Sequence, residues 1–151
     1  MKTKLACILC LFVLSAQTHV FANEGTTVDE KLLKAFKDAF PLAEKVDWNE
    51  TGDHYFVHFK DHDVLSEIEY DRDGNFIESE RYYKSADLLP IHLSWVLHKR
   101  FANKTIYGIT ETISDDATYY YVKLEDSKEW VTVKCTADGI LEVFDRLKKQ
   151  I

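Results

Sequence analysis

Three histidines in the first half of the chain, His54, His58 and His62, are spaced four residues apart. On a helix this spacing would bring the imidazoles together as ligands of a zinc ion. The residues around them alternate between apolar and polar, which is typical of a strand, and a strand rises about 3.3 Å per residue. His54 and His58 would then lie roughly 13 Å apart, too far to share one ion. We therefore expect solvent-facing histidines and no metal site; a site that joins one of them to a distant acid is the alternative.

Asp71, Asp73 and Asn75 have the alternating oxygen-bearing side chains with which a calcium-binding loop begins. In such a loop the glycine stands sixth and a bidentate glutamate stands twelfth. Here Gly74 is fourth in the run, and no glutamate occupies the twelfth position. The same Asp-Gly pair recurs at positions 138–139. We predict two hairpin turns with positive φ at both central residues, rather than calcium sites.

No motif for covalent or phosphoryl-transfer chemistry is present in the sequence. Nucleophilic catalysis needs a nucleophile beside a base that a third group orients. The chain has no Gly-x-Ser-x-Gly elbow and no glycine-rich phosphate loop. Cys135 lies within an apolar alternation, which predicts a buried thiol. We therefore predict a protein that is not an enzyme and that has neither catalytic residues nor a cofactor.

A set of aromatic, aliphatic and basic side chains is expected to share one surface of a β-sheet. Strand alternation directs these candidate binding residues to the same side: Phe56, His58, Leu65, Tyr119, Tyr121, Lys123, Trp130 and Lys134. Monomeric proteins seldom expose so large an apolar patch, and Tyr and Trp are enriched in binding hot spots. The pattern favours a protein-binding surface. Cross-strand pairing that stabilises the sheet without any ligand is an equally weighted alternative.

The elements that position these residues begin with a helix. The sequence Thr27-Val28-Asp29-Glu30 fits a capping box at its start, and Pro41 ends the pattern. Its apolar residues recur every fourth position, at Val28, Leu32, Phe36 and Phe40. Four segments with strand-like alternation follow, at 45–50, 54–60, 64–70 and 75–83.

The second half of the chain repeats this order. When the apolar positions of the first helix are shifted by one constant number of residues, they coincide with Leu89, Leu93, Leu97 and Phe101. Pro90 is then expected in the first turn of a second helix. A slightly larger shift places segment 55–61 on 120–126, and the extra residues are expected in a long loop at 113–118. We predict one α+β domain of two tandem helix-plus-four-strand units, about 27–83 and 88–148, that form one antiparallel sheet with the helices on one face.

Strand periodicity also predicts which side chains form the core. The residues expected to face the helices are Tyr55, Val57, Phe59, Ile68, Tyr70, Tyr120, Val122, Leu124, Val133 and Cys135. The last strand of each unit alternates too weakly for its faces to be assigned.

The segment 1–22 looks like a signal peptide. Lys2 and Lys4 precede an apolar run at 5–16, which is too short to span a bilayer, and cleavage is expected after Ala22. Of the cysteines, Cys135 alone would then remain, and the mature chain would carry 17 Lys and Arg against 26 Asp and Glu. A net charge of −9 disfavours nucleic acid and anionic membranes as partners. We expect a periplasmic or secreted protein with no membrane anchor.

In these features the chain resembles the PepSY-like domains, also called beta-lactamase-inhibitor-like, of small exported bacterial proteins. The residues that carry the resemblance are Ala39-Phe40-Pro41, Val46-Asp47-Trp48, Tyr55-Phe56-Val57-His58-Phe59, Tyr70-Asp71-Arg72-Asp73-Gly74 and Leu89-Pro90. It covers nearly the whole mature chain. The second half departs from the pattern by having Tyr107-Gly108-Ile109 where the first has Trp48.

The resemblance implies two helix-plus-sheet units that share one broad antiparallel sheet, and no enzymatic activity. The family name reflects a likeness to an inhibitor that grips an enzyme with the concave face of such a sheet. We therefore expect a module that binds another protein through its open sheet face, with inhibition of an envelope or foreign enzyme as one form of that role. A periplasmic carrier or sensor of a small ligand is the alternative. The oligomeric state is left open.

Overall fold

The computed structural model describes residues 28–150. The expected signal peptide, with Cys7 and Cys10, and the expected cap residue Thr27 lie outside the described residues. In chain order the elements are α1 (Glu30–Ala39), β1 (Glu44–Thr51), β2 (His54–Asp61), β3 (Val64–Asp71), β4 (Phe76–Tyr83), a 3-10 helical turn (Ala86–Leu88), α2 (Ile91–Arg100), β5 (Thr105–Ser114), β6 (Thr118–Glu125), β7 (Glu129–Thr136) and β8 (Leu141–Lys148). Within this part of the chain, neither helix has the length and apolar character needed to cross a membrane.

The strands form one eight-stranded sheet in which each strand pairs antiparallel with the next along the chain. The edges of this open sheet are β1 and β8. Each strand of the first half lies within one residue of the bounds expected from the sequence. The predicted α+β class and the single antiparallel sheet are confirmed.

The second half is longer chiefly because β5 has 10 residues whereas β1 has 8. The predicted long loop at 113–118 is therefore wrong in part, since Ile113 and Ser114 belong to β5 and only residues 115–117 connect it to β6. Two of the additional residues lengthen β5, and one lengthens the turn, which has three residues at 115–117 whereas its counterpart at 52–53 has two.

Helix α1 is capped by Asp29, whose carboxylate accepts a hydrogen bond from the Lys31 backbone N–H at 2.7 Å. The predicted start at Thr27 is corrected, because the helix begins at Glu30. A carboxylate at the cap satisfies an N–H group that has no partner inside the helix and lies at the positive end of the helix dipole. The predicted stripe is confirmed and faces the sheet: Val28, Leu32, Phe36 and, half-buried, Phe40.

Helix α2 begins one residue after Pro90, which occupies the cap position rather than the first turn. The Pro90 carbonyl accepts hydrogen bonds from the N–H groups of Leu93 and Ser94, at 2.9 and 3.2 Å. Leu93 and Leu97 are buried against the sheet, whereas Trp95 is 64% exposed. The predicted second helix is confirmed, with Pro90 at its boundary.

Both helices lie against the same face of the sheet, which we call the helix face. The α1 side of the core contains Phe36, Val57 and Ile68, and the α2 side contains Leu93 and Ile109, among others. Strand β4 connects the two sides. On its helix face it presents Ser79 opposite Ile68 and Ile113, and Tyr83 opposite Ile109.

The residues expected to face the helices do so. All of them are buried except Tyr70, which is half-buried: Tyr55, Val57, Phe59, Ile68, Tyr120, Val122, Leu124, Val133 and Cys135. Tyr83, whose face the sequence left unassigned, is 1% exposed and belongs to the core. Alternation therefore predicts the faces well wherever a strand is regular.

The β3–β4 turn differs from its prediction. Gly74 has a φ of 82°, but Asp73 does not share the left-handed region, so the turn with two positive central φ angles is wrong. The same holds at Asp138, beside Gly139 with a φ of 96°. Instead the Asp71 carboxylate accepts hydrogen bonds from the backbone N–H groups of Asp73 and Asn75, at 2.9 and 2.8 Å. The Asp71 side chain, which suggested a calcium-binding loop, therefore stabilises the turn by hydrogen bonds to its backbone.

Candidate functional site

The sheet face opposite the helices, which we call the open face, carries all the residues expected to bind a partner. Strand alternation directs their side chains away from the helix face. Within residues 28–150 no helix covers this face, because both helices pack on the other. His58 and Leu65 are exposed, and the others are half-buried by neighbours: Phe56, Tyr119, Tyr121, Lys123, Trp130 and Lys134.

These residues fall into two groups separated by β4 and β5. Phe56, His58 and Leu65 lie on β2 and β3, and the other five lie on β6 and β7. Neighbouring strands are about 4.8 Å apart, so β2 and β6 are separated by roughly 19 Å. Within the second group, Lys134 contacts Tyr119 and Tyr121, and Lys123 contacts Trp130, whereas the first group lies apart.

The second group forms what we call the aromatic–lysine patch. Lys134 Nζ lies 3.9 Å from the ring centroid of Tyr119 and 5.7 Å from that of Tyr121. Lys123 Nζ lies 5.6 Å from the Trp130 ring. Cation–π contacts at exposed sites stabilise by about 0.5–1 kcal/mol each. Together the contacts hold flexible lysine side chains over rigid rings.

The patch includes three residues that the sequence reasoning missed. Tyr107 lies 5.5 Å from Lys123 Nζ, Phe144 makes an edge-to-face contact with Tyr121 at 5.5 Å, and Lys149 lies 4.7 Å from the Trp130 ring. Tyr107 and Phe144 fall where the β5–β6 and β7–β8 registers shift. A bulge inserts a residue and so breaks the alternation from which faces are read. The sequence identifies both residues as aromatic, but it does not show which face of the sheet their side chains occupy.

Tyr82 lies on the open face between the two groups, and Gly108 makes room for it. A Cβ atom at Gly108 would lie 2.8 Å from the Tyr82 hydroxyl oxygen and 2.9 Å from a ring carbon. Glycine therefore lets the ring approach the β5 backbone. The ring covers the middle of the open face, where β5 otherwise presents threonines.

On the open face, the interior strands β3 and β4 carry acidic side chains. We call the glutamates of β3 and β4 on this face the acidic patch: Glu67, Glu69, Glu78 and Glu80. Each β3 glutamate lies directly opposite a β4 glutamate, and like charges in this position destabilise a sheet. Histidines of β2 offset part of the repulsion, since His58 Nδ1 lies 2.9 Å from Glu67 Oε2 and His54 hydrogen bonds to Glu69.

The three histidines therefore bind nearby carboxylates. His54 and His58 each meet a β3 glutamate, and His62, at the β2–β3 turn with a φ of 55°, lies 2.7 Å from Asp61 Oδ1. Among residues 28–150, no group of three or more His, Cys, Asp or Glu side chains is arranged to hold a metal ion.

An ionic cluster holds the end of the patch nearest the β6–β7 turn. Lys104 Nζ donates to Asp126 at 2.5 Å and to Glu129 at 2.9 Å, and Asp126 also accepts the backbone N–H of Lys128. The Lys104 hydrogen bond, followed by the backbone bonds, lowers the pKa of Asp126 far below its usual value. The neighbouring contact of Lys149 with Glu125, at 2.8 Å, lowers the pKa of Glu125.

Cys135, the cysteine among the described residues, lies on the helix face and is 0% exposed. Burial raises the pKa of its thiol to about 11. The predicted burial is confirmed. A protonated thiol within the core is not available as a nucleophile or metal ligand.

No protein-family model matches the chain, and no curated protein is similar to it in sequence. Solved structures from Bacteroides do share its fold. A BLIP-like protein from Bacteroides fragilis is 16% identical, with 82% of this chain and 88% of that chain covered and a TM-score of 0.58. A DUF2874 family protein from Bacteroides uniformis is 13% identical, with 80% and 88% covered and a TM-score of 0.56.

A third structure, described as a candidate periplasmic protein of Bacteroides eggerthii, is 12% identical, with 82% of this chain and 90% of that chain covered and a TM-score of 0.57. At such identities the likeness establishes a shared fold, and function has to be argued from the site. The fold is that of the BLIP-like and DUF2874 proteins, as the resemblance in the sequence implied.

Proposed function

We propose that this chain, which has the fold of the BLIP-like proteins, is an exported, non-catalytic module that binds another protein through its open face. The observation that carries the proposal is the aromatic–lysine patch, in which four aromatic rings make cation–π contacts with three lysines. Tyrosine and tryptophan supply large contact areas with little loss of side-chain entropy. Exposed Phe144 and Leu147, at 64% and 52%, extend the apolar area toward β8.

The charges of the open face indicate which charges a complementary partner surface would carry. Lys123 and Lys134 lie on β6 and β7 and the acidic patch lies on β3 and β4, so a complementary surface presents carboxylates to these lysines and a basic group to the acidic patch. Such complementarity speeds encounter and selects among partners. A basic group between Glu67 and Glu80 would also relieve a like-charge pair. If the partner is an envelope or foreign enzyme whose cleft the open face covers, binding inhibits it.

The chain acts in the periplasm or outside the cell, after removal of a signal peptide near Ala22. The leader-like segment 1–22 and the structural neighbour described as a candidate periplasmic protein support this location. The two helix-plus-four-strand segments are tandem units of one domain. The repeated order of elements supports that arrangement, since α1 is followed by β1 to β4 and α2 is followed by β5 to β8.

A second function, carriage or sensing of a small ligand, is favoured by a groove of about 980 Å³ on the helix face. That volume lies within the range of small-molecule sites, about 300–1,000 Å³. The two functions use opposite faces of the sheet, so they can be tested separately.

The experiment is affinity capture from envelope extract with quantitative mass spectrometry. The test variant is Tyr121→Ala with Trp130→Ala. The matched control is Trp95→Ala, which removes an exposed tryptophan from α2 on the opposite side of the sheet. Proteins bound by wild type should be lost from the test variant and kept by the control.

Unfolding measurements on the same proteins separate binding from stability. The test variant should stay folded at the assay temperature, since its two side chains are half-buried and lie on the open face. Identical protein sets for wild type and test variant would refute the proposal. A charge variant, Lys123→Ala with Lys134→Ala, should lose the same proteins and should reduce the salt dependence of capture.

A further inference from the structure

A groove crosses the helix face between the end of α1 and the 3-10 turn that precedes α2. Its volume is about 980 Å³. Its walls are apolar and come from both halves of the chain, and they include Phe40, Phe59, Ile68, Leu88 and Ile113. The helices pack on either side of this strip of sheet, over two separate parts of the core.

The sheet floor of the groove has polar side chains beside apolar ones, although it lies on the side of the sheet that carries the core. Ser66 of β3 lies opposite Arg81 of β4, and Ser79 lies opposite Ile68 and Ile113. Sheet positions that face helices are ordinarily apolar, because burying a polar group costs free energy unless it is hydrogen-bonded. The two hydroxyls and the guanidinium of this strip are half-buried, so they remain accessible to a polar group of a ligand in the groove.

Arg81 has one carboxylate partner and donors to spare. Its Nη1 lies 3.3 Å from Glu111 Oε1, and Glu111 also accepts a hydrogen bond from the Tyr83 hydroxyl at 3.0 Å. The Arg81 side chain is 39% exposed and lines the groove, whereas the Glu111 side chain is 8% exposed. A guanidinium has five N–H donors in a planar fork that matches a carboxylate. The contact with Glu111 therefore leaves donors on the groove side.

The acids that line the groove lie near the β2–β3 turn and in the 3-10 turn, and they have partners of their own. Asp61 contacts His62 at 2.7 Å, and Asp63 lies 3.4 Å from Lys60 Nζ. Asp87 accepts a hydrogen bond from the Ser85 hydroxyl at 3.1 Å. The three carboxylates of the lining are therefore engaged near the β2–β3 turn and at the 3-10 turn, apart from Arg81 on β4.

We propose that this groove binds an amphiphilic carboxylate. The apolar chain of the ligand lies between the walls formed by the α1 end and Ile113, and its carboxylate accepts hydrogen bonds from Arg81 and the hydroxyls of Ser66 and Ser79. The charge of Arg81 and the donor character of the floor select an anionic head group, and the apolar walls select a hydrocarbon body. The site does not depend on the open face.

The test is isothermal titration calorimetry of the protein with three ligands that share one hydrocarbon chain: decanoate, decanol and decyltrimethylammonium. The two ionic ligands are used below their micelle concentrations and decanol below its solubility limit. Decanoate should bind at one site, at least tenfold more tightly than decanol, and the cation should bind most weakly. Equal affinities for decanoate and decanol, or preference for the cation, would overturn the proposal.

Variants locate the site. Ser79→Leu fills the floor and keeps the Arg81–Glu111 pair, so it should abolish binding of decanoate and decanol alike. Arg81→Lys should retain part of the preference for decanoate, and Arg81→Gln, where it folds, should remove that preference. Trp95→Ala, on the exposed side of α2, should leave both affinities unchanged. Undiminished decanoate binding by Ser79→Leu would place the ligand elsewhere and refute the assignment.

Discussion

Arg81→Gln should destabilise the protein far more than Glu111→Gln, although the two residues form one ion pair. The reason is the difference in their burial, since the Arg81 side chain is 39% exposed and the Glu111 side chain is 8% exposed. Removing Arg81 leaves a carboxylate charge in the core. Removing the Glu111 charge leaves a guanidinium that water still reaches.

The expected magnitudes follow from these environments. Breaking a buried ion pair at one partner costs about 3–5 kcal/mol. Because water reaches part of this pair, we expect about 3 kcal/mol for Arg81→Gln. Glu111→Gln keeps an acceptor for the Tyr83 hydroxyl, now 3.0 Å from Oε2, and should cost about 1 kcal/mol. The double variant leaves no buried charge, so it should be more stable than Arg81→Gln alone.

Urea unfolding at pH 7, followed by circular dichroism, measures the free energy of unfolding of all four proteins in the cycle. Similar m-values would show that the variants unfold from comparable native states. Two results would contradict the reasoning: Arg81→Gln costing no more than Glu111→Gln, or a double variant whose loss equals the sum of the single losses. Either result would mean that water reaches Glu111 in the folded protein.

Two further predictions concern titratable groups. The pKa of Asp126 is lowered chiefly by Lys104, so its contribution to stability is present above pH 4 and is lost as the pH falls below that, toward its folded pKa. In a pH series of thermal melts, Asp126→Asn should therefore melt below wild type at pH 7 and approach it near pH 2; a constant difference would refute the assignment. Burial raises the pKa of Cys135 to about 11, so Ellman's reagent at pH 8 should leave the native thiol unmodified and modify it in urea. Stoichiometric reaction of the native protein would contradict its burial.

Local sequence patterns predicted the fold correctly in strands whose successive side chains alternate regularly between the two faces of the sheet. Tyr55, Val57 and Phe59 occupy every second position of β2, and all three are buried. Period-two alternation needs no knowledge of which strands are adjacent, because successive side chains point to opposite faces of any sheet. The same holds for the helical stripes, whose members recur every fourth residue.

Predictions failed where a local irregularity or a competing hydrogen bond decided the geometry. Tyr107 and Phe144 joined the open-face patch through register shifts, which depend on the partner strand. The Asp71 carboxylate accepts hydrogen bonds from two backbone N–H groups of its turn, and the turn that results lacks the two positive φ angles expected from the sequence. Asp29 capped α1 in place of Thr27, since its side chain reaches the Lys31 N–H.

The amino-acid sequence by itself determined the kinds of element, their order and the side of the sheet to which most strand residues point, because these follow from spacing along one chain. Only the tertiary structure decided that Ser66, Ser79 and Arg81 meet in one strip and that Lys123 and Lys134 lie over aromatic rings. These contacts join residues of different strands. Their positions depend on register and on bulges, which are set by packing across the whole sheet.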